Sequence, residues 1–169
     1  MGTHFILIGF MGAGKTTVGR CLSQKTGYPL LDTDRLIEEQ AGMTVSRIFE
    51  VYGEEEFRGL ETEAIKALMD RDDDWVLSAG GGMPLREVNR TLLRQAGTVI
   101  YLKVQPQTVL ERLRGDTTRP LLQGGNVGER VESLMNYRSP IYESAAHMTV
   151  VTDGRSPETI AEEIVVKNG

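Results

Sequence analysis

Gly9-Phe10-Met11-Gly12-Ala13-Gly14-Lys15-Thr16-Thr17 stands between two segments of different habit. Before it, His4-Phe5-Ile6-Leu7-Ile8 is short, apolar and partly β-branched, as a buried parallel strand is. Behind it, Val18, Cys21, Leu22 and Lys25 recur at helical spacing. Strand, glycine loop and helix together form the context in which G-x-x-x-x-G-K-[ST] reads as a phosphate loop. Gly9, Gly12 and Gly14 free the backbone for positive φ and close approach to a ligand. Successive N–H groups, Gly12 to Thr17, then make an anion nest backed by the positive end of the following helix. Lys15 is placed for the β- and γ-phosphates, and the Thr16 hydroxyl for Mg²⁺. A glycine-rich turn that merely precedes a helix is the plain alternative. At average glycine usage the full pattern arises by chance in roughly one chain in a hundred of this length. The chain therefore binds a nucleoside triphosphate or something very like one.

The 169 residues, 40% hydrophobic and 25% charged, suffice for one globular domain with a full core, over 1–169. A net charge of −5 and the absence of any dense Lys/Arg run argue against nucleic acid as a partner. An anionic substrate must then be held by locally gathered arginines. The single cysteine, Cys21, excludes an internal disulfide framework and reads as a small core residue rather than a nucleophile. No signal peptide or spanning apolar stretch is present, and Ile6 breaks the myristoylation pattern after Met1-Gly2. These features predict a soluble, cytoplasmic protein without a membrane partner.

Further along, Leu30-Leu31 leads a second strand toward Asp32-Thr33-Asp34, and helical pattern resumes from Arg35. Thr44 opens another helix, and Glu54 to Met69 a third with Phe57, Leu60, Ala64, Ile65 and Leu68 inward. Trp75 to Ala79 is a strand ending at Gly80-Gly81-Gly82, followed by a helix from Leu85 to Gln95. Thr98 to Lys103 is a strand and Gln105 to Arg114 a helix. The glycine-bearing stretch 115–128 reads as a mobile lid, then Val131 to Ala146 as a helix that tolerates Pro140. His147 to Val151 is the fifth strand, and Ser156-Pro157-Glu158 starts the last helix. This alternation predicts α/β class, a three-layer α/β/α sandwich on a five-stranded parallel sheet.

A phosphate loop by itself does not separate GTPases, motor ATPases and small-molecule kinases. None of the five lysines lies in an Asn-Lys-x-Asp base-reading motif, and no apolar strand ends in Asp-Glu. Asp32 and Asp34, one residue apart on an extended stretch at a strand's carboxyl end, would point the same way. Asp32 can orient Mg²⁺ through water, and Asp34 can accept a proton from an attacking hydroxyl. Alternatively, Asp34 simply caps the next helix. Arg58 has Glu61 three residues on to hold its guanidinium. Arg119 and Arg138, like Arg58, are surface arginines or ligand contacts. Three glycines at a strand end imply close approach of the main chain to a ligand.

The set Gly9 to Gly19, Asp32-Thr33-Asp34, Phe57-Arg58-Gly59-Leu60-Glu61, Gly80-Gly81-Gly82, Arg119-Pro120-Leu121-Leu122 and Arg138-Ser139-Pro140-x-Tyr142 resembles the shikimate kinases nearly end to end. The resemblance implies a P-loop NTPase fold akin to nucleoside-monophosphate kinases, with substrate helices over about 34–61. It implies phosphorylation of the 3-hydroxyl of shikimate by ATP with Mg²⁺, in aromatic amino-acid biosynthesis, by a monomer. Arg58 and Arg138 would clamp the shikimate carboxylate. Asp34 would be the base, and Gly80, Gly81 and Gly82 would offer N–H groups. Phe49 and Phe57 would form an apolar wall or lie in plain core. Arg119 would meet the moving phosphoryl from the lid. For adenine, Arg112 (with Arg114 as rival), Arg155 and Pro157 match the family's sandwich. Another P-loop kinase, for gluconate or a nucleoside monophosphate, and a non-catalytic nucleotide-binding module are the competing readings.

Overall fold

The computed structural model describes residues 4–112 and 127–168. Five strands, β1 (His4–Ile8), β2 (Leu30–Asp32), β3 (Trp75–Ser78), β4 (Thr98–Lys103) and β5 (Met148–Val151), form one sheet. All neighbours are parallel, in the order β2-β3-β1-β4-β5. Phe5 to Ile8, Trp75 to Leu77 and Val99 to Leu102 are all buried, so the central strands are covered on both faces. Their nearly unbroken apolar runs follow from that double cover.

Helices α1 (Lys15–Thr26), α2 (Thr33–Ala41), α3 (Val45–Tyr52), α4 (Glu54–Met69), α5 (Glu87–Ala96), α6 (Pro106–Arg112), α7 (Val127–Ala145) and α8 (Pro157–Asn168) complete the described elements. α1 packs on α8, while α5 and α7 lie against β4. Cys21, half-buried, packs against the main core from α1, and burial raises its thiol pKa, as suits a packing role. α2, α3 and α4 share a small separate core of Ile37, Ile48 and Phe57. The substrate helices expected over 34–61 therefore have their own apolar anchor beside the sheet.

Where boundaries depart from the sequence reading, local chemistry decides. α1 starts at Lys15, three residues before its apolar periodicity, because Gly14 caps it at φ 91°. α2 starts at Thr33 because the Asp32 side chain accepts from the N–H groups of Asp34 and Arg35. α7 begins at Val127, so the last two positions of the stretch expected as lid, Val127 and Gly128, are helical. Pro140 lies within that helix without ending it.

Candidate active site

The parallel strands β1, β2 and β3 end side by side, since Leu7 and Asp32 both register with Ser78. A cleft of about 810 Å³ opens over these ends. It is lined from separate segments by Lys15, Asp34, Arg58, Gly80 to Gly82 and Arg138, among others.

The phosphate loop forms one wall. A Cβ at Gly9 would come within 2.8 Å of the Leu102 carbonyl oxygen, so the chain passes over β4 only as glycine. Gly12 and Gly14 take φ of 81° and 91°, where other residues are strained. Lys15 Nζ arches back to donate to the carbonyls of Gly9 (2.7 Å) and Phe10 (3.2 Å). Gly12, Gly14, Thr16 and Thr17 also line the cleft. Ala13 does not: it is buried, and its N–H donates to the Phe10 carbonyl at 3.1 Å.

The acid pair is also arranged differently from the extended stretch expected. Asp32, not Asp34, is the N-cap, through Oδ1 at 2.9 Å from Asp34 N and 3.2 Å from Arg35 N. Asp34 lies in the first turn of α2, where the helix dipole favours a carboxylate. Both line the cleft. A cap oxygen is thereby committed on Asp32, and the capping considered for Asp34 falls to its neighbour instead.

Gly80, Gly81 and Gly82 each make room for a charged group. A Cβ at Gly80 would sit 2.8 Å from Asp34 Oδ1 and 3.2 Å from Glu61 Oε2. At Gly81 it would lie 3.6 Å from Arg138 Nη1, and at Gly82 it would overlap the Arg58 guanidinium. None of the three has positive φ, so space rather than backbone freedom selects glycine here. The N–H of Gly80 is not offered to the cleft, because it donates to Thr33 Oγ1 at 2.9 Å.

Arg58 is buried at 8% exposure on α4 and donates to Glu61 Oε1 at 2.7 Å and Glu54 Oε2 at 3.2 Å. Its guanidinium carbon lies 5.8 Å from the Phe49 ring centre and 5.4 Å from that of Phe57. Phe57 is buried core and Phe49 half-buried against it, and both line the cleft, so the two readings of this aromatic pair coexist. Glu61 is wholly buried, and desolvation pushes its carboxyl up to about 7 against the pull of Arg58, with the charge of Asp34 adding to the rise. Arg138 on α7 is 4% exposed, its guanidinium carbon 5.7 Å from the Phe10 ring centre.

Residues expected around adenine lie away from this lining. Arg112 Nη1 donates to the Gly12 carbonyl at 2.7 Å, at the edge of the phosphate loop. Arg155 is occupied by the Val151 carbonyl (3.0 Å) and Glu163 (3.1 Å), and Pro157 begins α8. Arg119, Arg114 and most of 115–128 lie outside the described residues.

Arg20 and Arg35 also line the cleft but were missed by sequence reasoning. Arg35 directly follows the acid pair, and Arg20 lies one helical turn beyond Thr16 and Thr17, a spacing that could have indicated both. With Lys15, Arg58 and Arg138 they supply the local positive charge that a chain of net charge −5 needs for anionic ligands. Thr33 was missed as well; its pairing with Gly80 spans 47 residues and leaves no local signal.

Among known proteins, a family model for shikimate kinase matches residues 11–168. The shikimate kinase of Symbiobacterium thermophilum is 44% identical over 97% of this chain and 95% of its own. That of Geobacter sulfurreducens is 44% identical over 96% of this chain and 89% of its own. A structure of shikimate kinase from Acinetobacter baumannii in complex with shikimate superposes with a TM-score of 0.92, at 38% identity, covering 99% of this chain and 95% of that one.

Proposed function

The chain belongs to the shikimate kinase family and is thus an ATP-using phosphotransferase, and we propose how its residues divide the work. The γ-phosphoryl of ATP passes to the 3-hydroxyl of shikimate, giving shikimate 3-phosphate and ADP. What carries this reading is the gathering of Lys15, Asp34, Arg58 and Arg138, from four separate segments, on one cleft.

The phosphate loop holds the triphosphate, and Lys15 swings from its carbonyl partners to the β- and γ-phosphates. Arg58 and Arg138, both buried, face the shikimate carboxylate with paired N–H donors that lysine cannot reproduce. Gly81 and Gly82 supply main chain beside the ring, and Phe49 and Phe57 its apolar wall. Asp34 accepts the proton of the 3-hydroxyl as its oxygen bonds to the γ-phosphorus. The bond to the β–γ bridging oxygen breaks and ADP leaves. Arg119 would stabilise the moving phosphoryl, a role supported by its Arg119-Pro120-Leu121-Leu122 setting alone.

Thr16 and Asp32 suit Mg²⁺. Both are hard oxygen donors on the cleft, and among the described residues no three carboxylate, His or Cys side chains gather into a protein cage. Thr16 would ligate directly and Asp32 through water, by the oxygen not engaged in capping. Held by these residues, Mg²⁺ would supply charge neutralisation for the triphosphate. Among the described residues no helix is long and apolar enough to cross a membrane, and the lone Cys21 and use of ATP support a cytoplasmic setting.

A coupled ADP-release assay with shikimate and with gluconate tests the substrate. Release driven by shikimate alone is expected; release driven only by gluconate, or by neither, would overturn the reading.

A further inference from the structure

In Arg138-Ser139-Pro140-Ile141-Tyr142 the last residue stands one helical turn beyond the first, on the same face of α7. Tyr142 is 1% exposed, with its ring centre 5.2 Å from that of Tyr101. Its hydroxyl donates to the carbonyl oxygen of Gly81 at 2.6 Å. The Arg138 guanidinium lies against the same glycine, its Nη1 3.6 Å from where a Cβ at Gly81 would stand, and its charge acts on the Tyr142 phenol. The middle glycine of the triplet thus has the tyrosine hydroxyl on its carbonyl and the arginine beside it.

A tyrosine buried only for packing would need no such partners, and phenylalanine would fill the same volume. Arg138, by contrast, depends on its neighbours. It is 4% exposed, rests over Phe10, and its Nε has no hydrogen-bond partner among the described residues. A buried guanidinium is sensitive to the loss of a polar group packed beside it. Burial also raises the phenol to about 12, so it remains a donor to Gly81 across the physiological range.

We propose that Tyr142 is a positioning residue, which holds the Arg138 guanidinium and the Gly81 main chain in the geometry that receives the substrate carboxylate. This rests on the functional reading above. Tyr142 touches neither ATP nor the reacting hydroxyl in that reading, so its effect falls on one substrate only.

The test is Tyr142→Phe in the full chain, with shikimate and ATP varied separately, melting temperature recorded, and the same change made in an Arg138→Lys background. The shikimate KM should rise about tenfold, as for a lost buried hydrogen bond, with the ATP KM and kcat little changed. In the Arg138→Lys background the added effect should shrink to about twofold or less, because the two residues act as a unit. Tyr101→Phe, which alters the neighbouring ring, should leave both KM values unchanged. The proposal falls if the shikimate KM does not move in Tyr142→Phe, if both KM values move together, or if the variant fails to fold. Wild-type protein that releases no ADP with shikimate would refute the functional reading instead.

Discussion

The Arg58 guanidinium occupies the space that a Cβ at Gly82 would need. Arg58 comes from α4 and Gly82 from the turn after β3, so the missing side chain fixes how closely the two segments approach. Gly82→Ala should push the guanidinium off Glu61 and out of register with the cleft. The overlapping atoms are the far end of a flexible side chain, so the fold should survive. Steady-state kinetics should show the shikimate KM rising at least about tenfold with the ATP KM unchanged, since a paired charge contact is worth about 1.5–3 kcal/mol. Arg58→Ala should show the same selectivity. An unchanged shikimate KM in either variant would exclude Arg58 from the carboxylate site.

Asp34→Asn keeps the shape of the side chain but removes its capacity to take a proton. Turnover should fall by about 10²–10⁴, the range general-base catalysis commonly supplies. ATP affinity, measured by direct titration, should stay as it is, because the role proposed for Asp34 is toward the acceptor hydroxyl and not toward the nucleotide. Weakened ATP binding with retained turnover would refute its assignment as the base.

Glu61 gives the stability of this fold a pH dependence of definite sign. Its ordinary value is 4.5, and burial lifts it to about 7 in the folded chain. Between these values the folded state binds more protons than the unfolded one, so stability declines as pH rises through the window. Glu61→Gln should remove that component. The difference in unfolding free energy, wild type minus variant, should drop by up to about 3 kcal/mol between pH 4.5 and 7 in denaturant titrations. A difference independent of pH would show that Glu61 stays ionised beside Arg58 throughout.

His147 should act in the opposite direction. Its Nδ1 accepts from the Val99 N–H at 2.9 Å, which requires the unprotonated nitrogen. Partial desolvation and then the nearby Arg94 cation lower its pKa below the usual 6.5. Stability from this contact is present above pH 6.5 and is lost as pH falls through the lower folded value. His147 is exposed, so the effect should be smaller than that of Glu61. His147→Asn, whose amide oxygen can accept without titrating, should flatten thermal stability between pH 5 and pH 7. Equal slopes in variant and wild type would contradict the role.

The fold was largely legible because its strands are buried on both faces. β1 and β4 coincide with apolar runs read at the same bounds, and α4 with its inward stripe. The starts of α1 and α2 were displaced because Gly14 and the Asp32 side chain set them, and capping leaves no periodic trace. At the site, residue types and motif order indicated the charged groups. The local pairing of Arg58 with Glu61 was legible from its spacing, but the long-range ones were not. Thr33 with Gly80, Arg58 with Gly82 and Tyr142 with Gly81 join positions 24 to 61 residues apart, which only the folded sheet brings together.

Asp32 carries two proposed duties that one substitution can separate. As N-cap of α2 it stabilises the helix start, and as a carboxylate on the cleft it would orient water on Mg²⁺. Asparagine caps about as well as aspartate, while alanine loses about 1 kcal/mol. Asp32→Asn should therefore melt like wild type, yet need several-fold more Mg²⁺ for half-maximal turnover. Asp32→Ala should lose both, with a lower melting temperature and the same raised Mg²⁺ requirement. If Asp32→Asn shows wild-type Mg²⁺ dependence, the side chain is a helix cap alone, and the ion is held by Thr16, the phosphates and water.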